Sequence, residues 1–218
     1  VRSRGIQEID GVALMQSTTK LSTRLEKPVS GSEFLAMIEQ SWTPRKGPVF
    51  IEFPLDVQAA NRDEEPWPES TAPVLRTAED HTVDQVVRLW NEAERPVLLL
   101  GGGVEIATVD ALRATLDALA LPTMTTYNGA DRIDGDAPYY LGRPNTWGQR
   151  SSNIIIQQSD LIVALGTRLG LQQTGFNWQE FGRDAKIVQV EIDEAELTKG
   201  HPRTDVAVNA DANDLLRR

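Results

Sequence analysis

The sequence predicts an α/β fold in which a doubly wound parallel sheet of five to six strands occupies residues 77–218. Three observations support this prediction. Short apolar runs are typical of strands buried on both faces, helical segments alternate with them, and glycines follow the first of these strands. Six strands or fewer in about 140 residues fit a single domain of this class.

Apolar runs rich in strand-forming residues mark the strands. In chain order they are PVLLLGGG (96–103), PTMTTY (122–127), DLIVALG (160–166), AKIVQVEID (185–193) and DVAVNAD (205–211). Because PVLLL and LIVAL are apolar at every position and do not alternate with polar residues, helices are expected to cover both faces of the sheet.

Segments with helical spacing lie between these strands. TVDQVVRLWNEAE and TVDALRATLDALAL repeat their apolar residues at the period of a helix. The segment SSNIIIQQS is predicted to form a short helix after a capping serine, and a further short helix is predicted in EAEL.

Residues 1–58 are predicted to be an incomplete α/β segment. Ser32 is expected to cap a helix whose apolar stripe runs to Trp42, and Pro44 is expected to end it. A strand follows at 48–53, whereas VALMQSTTKLSTRL is compatible with helix or strand. Two or three elements cannot bury a core of their own. Residues 59–76 are rich in proline and charge, which predicts an exposed linker rather than a loop inside one domain.

Composition excludes several classes of function. A net charge of −10 argues against a nucleic-acid partner, and the absence of cysteine excludes disulfides, thiolate–metal sites and a cysteine nucleophile. Neither a membrane-spanning run nor a signal-peptide core occurs in the sequence, so a cytoplasmic protein is expected.

Three predicted strand ends carry residues suited to a ligand, because ligands of doubly wound sheets lie beyond the carboxyl ends of the strands. The first is Gly101–Gly103, which either cradles a phosphate at a helix N-terminus or forms a tight strand–helix turn. The dinucleotide pattern G-x-G-x-x-G is incomplete there, because Ile106 stands at its third glycine.

The other two strand ends carry charged residues. Arg168 follows DLIVALGT and suits either a phosphate or a surface ion pair. Glu191 or Asp193, at the end of VQVEID, could accept hydrogen bonds from ribose hydroxyls, and Asp193 could equally cap the next helix. Together the three strand ends describe a nucleotide-shaped crevice.

Other catalytic patterns are absent from the sequence. It contains neither the phosphate loop G-x-x-x-x-G-K-[ST] nor the nucleophile elbow G-x-S-x-G. His81 and His201 lack partners at metal-ligand spacing, and DRIDGDAP lacks the spacing of a calcium loop. His81 is expected at a helix start and His201 in a loop.

Seven segments occur in an order that is specific as a set. GIQEIDGVALMQSTTK and RKGPVFIEFPLDVQ come first, followed by RPVLLLGGG, LGRPNTWG, DLIVALGTRLGLQQTG, KIVQVEIDEAEL and NADA. Nearly the whole chain thereby resembles thiamine-diphosphate-dependent enzymes of the acetolactate synthase-like family. The first two segments are similar to the end of the family's pyrimidine-binding domain, and the other five are similar to its Rossmann-like central domain.

The resemblance implies three regions: 1–58, the C-terminal portion of the pyrimidine-binding domain; 59–76, a linker; and 77–218, the central domain. It implies a carboligase or decarboxylase of 2-oxo acids that uses thiamine diphosphate and Mg²⁺ and assembles as a homodimer or homotetramer. The family's activating glutamate lies ahead of residue 1, and its G-D-G…N motif belongs to a third domain, so the isolated chain is expected to be inactive. The DGD at 134–136 does not fit that motif.

Several family members bind FAD in the central domain. The positions that the resemblance carries over are Arg45, Gly102, Gly103, Gly142, Gly166, Arg168, Glu191 and Asp211. Both arginines would face phosphates and Glu191 would face adenosine hydroxyls, whereas Gln7 resembles a residue near the thiamine and substrate pocket.

The chain also departs from the flavin-binding members. Arg143-Pro144-Asn145 replaces a Met-His-Gly, Gly170 and Gln172 stand where an acid and an arginine are usual, and Leu55 replaces a lysine. Two alternatives therefore stay open: an independent FAD- or NAD-binding domain, or a structural domain that serves assembly.

Overall fold

A computed structural model describes residue 5 and residues 8–61, 66–70 and 73–218. The chain divides into two compact units, Val1–Val74 and Leu75–Arg218. The predicted domain boundaries at residues 58 and 77 stay predictions. None of the described helices is both long enough and apolar enough to cross a membrane.

Unit 1 contains short helices and two parallel strands. Its described elements are α1 (Gly11–Met15), β1 (Leu21–Arg24), α2 (Gly31–Glu39), β2 (Val49–Glu52) and α3 (Leu55–Ala59). The two strands pair in register, with Leu21 opposite Val49. VALMQSTTKLSTRL, which the pattern left open between helix and strand, contributes to both α1 and β1.

Ser30, not Ser32, caps α2, so that prediction was wrong. The Ser30 hydroxyl accepts from the Glu33 amide at 3.1 Å, and the Glu33 carboxylate accepts from the Ser30 amide at 2.8 Å. This reciprocal capping box needs an acid or amide three residues after the cap, and Leu35 stands at that distance from Ser32. The helix ends at Glu39, before Trp42 and Pro44.

Unit 2, described throughout, is a doubly wound parallel sheet, which confirms the predicted fold class. Its strands are β3 (Pro96–Leu100), β4 (Thr123–Thr125), β5 (Leu161–Leu165), β6 (Lys186–Glu191) and β7 (Val206–Asn209). Its α-helices are α4 (Asp80–Glu92), α5 (Ile106–Leu119), α6 (Arg150–Gln158), α7 (Leu171–Thr174), α8 (Glu194–Thr198) and α9 (Ala212–Arg217).

The predicted helices of unit 2 are present, but one predicted cap is wrong. Gln149 precedes α6 and makes no side-chain cap, so no serine caps that helix. Ser152 instead donates from its hydroxyl to the carbonyl of Leu141 at 2.6 Å. His81 lies in the first turn of α4 and His201 lies in a loop, as expected.

The strand order is β4-β3-β5-β6-β7, and all neighbours are parallel. The chain therefore moves outward from β3 to β4, returns past β3 to β5, and continues outward on the other side. As a result β3 and β5 are neighbours, and the connection that leaves β3 runs towards β4 whereas the connection that leaves β5 runs the opposite way, towards β6. Such a switch point opens a crevice at the carboxyl ends of the two strands.

Each face of the sheet carries its own core, because successive side chains of a strand point to opposite faces. Leu98 and Leu100 of β3 pack in one buried cluster together with residues of α4, α5 and α9. Val97 and Leu99 pack in the other, together with Ile156 of α6. The coverage on both faces explains why β3 and β5 are apolar at every position.

Candidate functional site

The loops that follow β3 and β5 touch at the switch point. The Gly101 amide donates to the carbonyl of Leu165 at 2.8 Å, and the Gly103 amide donates to the carbonyl of Gly166 at 2.9 Å. The Gly166 amide in turn donates to Val190 of β6 at 2.9 Å. Hydrogen bonds thus join three neighbouring strand ends into one edge.

Most glycines at this edge are required by the close approach of backbone to backbone. A Cβ on Gly101 would lie 2.2 Å from the carbonyl oxygen of Gly166, and a Cβ on Gly103 would lie 2.8 Å from the Cα of Gly166. These contacts support the tight-turn interpretation of the glycines. Gly102 is exposed and differs in its contacts, because a Cβ there would meet the Asn128 side chain at 3.0 Å and no backbone atom closer than 3.3 Å.

Helix α5 starts directly after this turn. It begins at Ile106, the residue that stands at the third glycine of the dinucleotide pattern, and Glu105 precedes it without a side-chain cap. The free amides at the start of a helix favour an anion. The exposed backbone of Gly102 and the start of α5 therefore face the same edge of the sheet.

Two polar side chains that the sequence pattern did not single out hold this turn from within. Arg132 is buried and donates to the carbonyl of Val104, and Asn213 is buried and donates to the carbonyl of Gly103 at 3.2 Å. Neither residue carries a local sequence signal, because Arg132 and Asn213 each stand beside an aspartate as an ordinary surface residue would, and their partners are distant along the chain.

Arg168 forms the surface ion pair that was one of its two interpretations. Its guanidinium lies 3.7 Å from the Glu196 carboxylate, and its side chain is 58% exposed. Glu196 also accepts from Lys199 at 3.0 Å, and Lys199 donates to the carbonyl of Arg168. Because the guanidinium is mostly exposed, this pair contributes little stability.

The two acids at the carboxyl end of β6 have separate roles. The carboxylate of Asp193 accepts from the Ala195 amide at 3.0 Å and caps α8, so its cap interpretation is confirmed. Glu191 is 8% exposed, and its Oε1 accepts from the amides of Ile192 at 3.0 Å and Asp193 at 3.4 Å. The Glu191 carboxylate is therefore directed in part onto its own turn.

Gly142 and Asp211 have local structural partners. Gly142 has φ +84°, and a Cβ there would lie 2.1 Å from Oε1 of Gln149; its carbonyl accepts from the Thr125 amide of β4 at 3.1 Å. Asp211 caps α9 and accepts from the backbone and side-chain amides of Asn213 at 3.0 and 2.8 Å. Asp211 is therefore linked through Asn213 to the turn after β3.

The other two predicted positions lie elsewhere. Arg45 belongs to unit 1, between α2 and β2, and its carbonyl accepts from Lys20 Nζ at 3.1 Å. Gln7 falls outside the described residues. No three histidine, aspartate or glutamate side chains of the described ranges are grouped closely enough to hold a metal ion.

Comparison with known proteins gives two kinds of match. Residues 83–218 match the family model of the thiamine pyrophosphate enzyme, central domain. The acetolactate synthase isozyme 2 large subunit of Escherichia coli is 33% identical over 212 residues, which cover 96% of this chain and 38% of that protein. A probable acetolactate synthase large subunit of Methanocaldococcus jannaschii is 34% identical over 220 residues, 97% of this chain and 37% of that protein.

A plant relative matches over a shorter stretch. The probable acetolactate synthase 2, chloroplastic, of Oryza sativa is 33% identical over 180 residues, 80% of this chain and 27% of that protein. The chain thus spans little more than a third of the length of the first two relatives. The resemblance read from the ordered segments is confirmed, because this chain belongs to the thiamine pyrophosphate enzymes and contains their central domain.

Proposed function

We propose that this chain is the central region of a thiamine-diphosphate-dependent carboligase or decarboxylase that acts on 2-oxo acids. The observation that carries the proposal is the 33% identity with an acetolactate synthase large subunit over 96% of the chain, including residues ahead of the central domain. Family membership implies thiamine diphosphate, which supplies an electron sink for carbanion chemistry when bound. The contribution of this chain is a scaffold on which the reacting parts are oriented.

We further propose that the carboxyl edge of unit 2 binds FAD. Gly102 exposes backbone beside the start of α5, Arg168 lies two residues after Gly166, and Glu191 lies one residue after the partner of the Gly166 amide. An exposed guanidinium and a helix start suit the diphosphate of a dinucleotide. The role of Arg45, which lies in unit 1, stays a prediction that rests on the resemblance alone.

The second candidate is a central domain that binds no nucleotide and serves assembly. The engaged side chains favour it, since Glu191 and Asp211 accept from neighbouring amides and Arg168 pairs with Glu196. A bound nucleotide would compete with these internal partners. An independent NAD-binding domain is the third possibility, and Ile106 in place of the third glycine counts against it.

One experiment separates the three candidates. The purified chain is incubated with FAD, with NAD or with neither, and is then desalted before its visible spectrum and melting temperature are recorded. The FAD proposal expects a retained flavin spectrum and a higher melting temperature with FAD only. Stabilisation by NAD alone supports the nucleotide-binding domain, and no shift with either ligand supports the structural role.

A matched pair of variants assigns the flavin signal to the edge. Arg168→Gln removes the guanidinium proposed to face phosphate and is expected to lower FAD affinity about tenfold, the scale of a charge-assisted hydrogen bond. Arg183→Gln is the control, because Arg183 is an exposed arginine that pairs with Glu180 and Asp184 away from the strand ends. Equal loss in both variants contradicts the assignment.

We also propose that the whole protein is cytoplasmic and works as a homodimer or homotetramer. The 218-residue polypeptide is expected to show no pyruvate consumption when supplied with thiamine diphosphate and Mg²⁺, because the family resemblance places the activating glutamate and the diphosphate-binding motif outside its residues. Turnover by this polypeptide contradicts the proposal. The mass of the whole protein in solution, measured by light scattering, tests the assembly.

A further inference from the structure

We infer that Arg132 and Asn213 are positioning residues for the turn Gly101–Glu105, here called the glycine turn. They hold the carbonyl groups of Gly102, Gly103 and Val104 inward so that the turn presents the Gly102 amide to an anionic ligand. The inference rests on the proposed function, since the ligand that it serves is the diphosphate of a dinucleotide. Neither residue is proposed to touch that ligand.

Arg132, in the loop after β4, donates hydrogen bonds to the glycine turn. Its Nε donates to the carbonyl of Val104, and one terminal nitrogen lies 3.5 Å from the carbonyl oxygen of Gly102. Its other terminal nitrogen pairs with Asp131. The side chain is only 10% exposed, and a charge so deeply buried is tolerated only where its donors are satisfied.

Asn213, at the start of α9, forms hydrogen bonds with the same turn. Its Nδ2 donates to the carbonyl of Gly103 at 3.2 Å, and its Oδ1 accepts from the Glu105 amide at 2.7 Å. The residue is 3% exposed. Asp211 accepts from the same Nδ2 at 2.8 Å, so Asp211 fixes which end of the amide faces Gly103.

Three successive carbonyl groups, those of Gly102, Gly103 and Val104, are thereby directed at buried donors. A carbonyl oxygen that faced the crevice would repel a phosphate, because both carry negative charge. The Gly101, Gly103 and Val104 amides donate to backbone carbonyls and the Glu105 amide donates to Asn213, whereas the Gly102 amide donates to no atom of another described residue. The two side chains therefore set the sign of the potential that the turn presents.

In this arrangement Asp211 does not contact the nucleotide but positions another residue. Its carboxylate caps α9 and orients Asn213, and Asn213 holds the glycine turn. Asp211 thus acts on the turn through a second side chain. Loss of Asp211 should copy loss of Asn213.

The test compares variants of the 218-residue chain in two measurements. Amide hydrogen exchange of the glycine turn is followed by NMR without ligand, and the affinity for FAD is measured by flavin fluorescence. The variants are Arg132→Met, Arg132→Lys and Asn213→Asp, which keeps the acceptor for Glu105 but loses the donor for Gly103. Arg113→Met is the control, because Arg113 pairs with Asp110 and Asp134 and does not contact the turn.

Arg132→Met and Asn213→Asp are expected to speed exchange at Val104 and to weaken FAD binding about tenfold, the effect of one lost charge-assisted hydrogen bond to the phosphate. Arg132→Lys keeps one donor, so an intermediate affinity is expected. The affinity is compared at temperatures well below each melting point, so that a general loss of stability does not contribute. Arg113→Met should match the wild type in both measurements.

Faster exchange with unchanged FAD affinity overturns the positioning role while leaving the FAD proposal intact. Unchanged exchange in Arg132→Met and Asn213→Asp overturns the inference outright. If the wild type binds no FAD, the proposed ligand is wrong, and a positioning role for that ligand is overturned with it. If Arg132→Met does not fold, Arg132→Lys and Asn213→Asp decide by the same criteria.

Discussion

Gly103 and Gly166 meet at the switch point of the sheet so closely that neither has room for a side chain. The Gly103 amide donates to the carbonyl of Gly166 at 2.9 Å, and a Cβ on Gly166 would lie 2.7 Å from the Cα of Gly103. The contact joins the ends of β3 and β5, two strands that the crossovers of the chain leave side by side.

Gly166→Ala is therefore expected to destabilise unit 2. Gly166 has φ +60°, and the added methyl group would meet backbone that cannot yield easily. We expect a loss of about 3 kcal/mol in the free energy of unfolding, combining left-handed strain and overpacking. Urea unfolding measures it. Gly170→Ala, at φ −75° with no atom within 4 Å of its Cβ, should stay within about 0.5 kcal/mol of the wild type.

Asp160 ties the start of β5 to the loop before β3, and this tie should depend on pH. Burial raises the pKa of Asp160, but hydrogen bonds from the amides of Glu94 at 2.8 Å and Arg95 at 2.9 Å outweigh it and leave the pKa lowered. A lowered pKa in the folded state contributes stability above the unfolded value of about 3.9, and this stability is lost as the pH falls through the folded pKa.

Asp160→Asn should accordingly reduce the slope of unfolding free energy against pH on the acid side. At neutral pH we expect a loss of about 1 kcal/mol, because the amide is a weaker acceptor for two backbone donors. Urea unfolding between neutral pH and about pH 3 measures both effects. Asp136→Asn, at an exposed position, is the control; an unchanged acid slope in Asp160→Asn contradicts the role of this carboxylate.

Tyr139 joins the segment after β4 to helix α5, and its hydroxyl should lose its proton at a higher pH than that of an ordinary tyrosine. Burial, followed by the hydrogen bond of 2.7 Å that its hydroxyl donates to Asp117, raises its pKa to about 12. A raised folded pKa contributes stability that is present below the unfolded value of about 10 and is lost as the pH rises through the folded value.

Tyr139→Phe should abolish the tyrosinate absorbance step near pH 12 and lower stability at neutral pH by about 1 kcal/mol, because Asp117 loses its donor. Ultraviolet absorbance during an alkaline titration measures the first effect and urea unfolding the second. Tyr127→Phe is the matched control, since Tyr127 is 46% exposed. The tyrosinate absorbance step near pH 12 should persist in Tyr127→Phe. Loss of this step in Tyr127→Phe would show that it does not belong to Tyr139.

Ser30 and Ser32 offer a direct test of which serine caps α2. Ser30→Ala removes the acceptor for the Glu33 amide and should destabilise unit 1 by about 1 kcal/mol, the usual value for an N-cap serine. Ser32→Ala lies inside the helix and should be neutral or slightly stabilising, since alanine favours helices. Circular dichroism during thermal unfolding compares them, and equal effects contradict the assignment.

The positions of the unit 2 strands and of α4, α5, α6 and α8 followed from the sequence, because each depends on residues that are neighbours in the chain, whereas α7 and α9 were not predicted. PVLLL and LIVAL are apolar at every position, which indicates strands covered on both faces, and they form β3 and β5. The cap of α8 by Asp193 was one of two alternatives and needed only the next two residues to decide. The ordered segments also identified the family.

Tertiary structure alone decided how the strand ends are built. The glycines are required by the contact between Gly103 and Gly166, which are far apart in the sequence. The letters GGG and GTR alone are compatible both with a ligand site and with a close approach of two backbone segments. The hold of Asn213 on Gly103 joins residues 110 positions apart. Local sequence determines helix and strand through short-range sterics and periodicity, whereas these contacts depend on the strand order, which is set when both faces of the sheet are buried together.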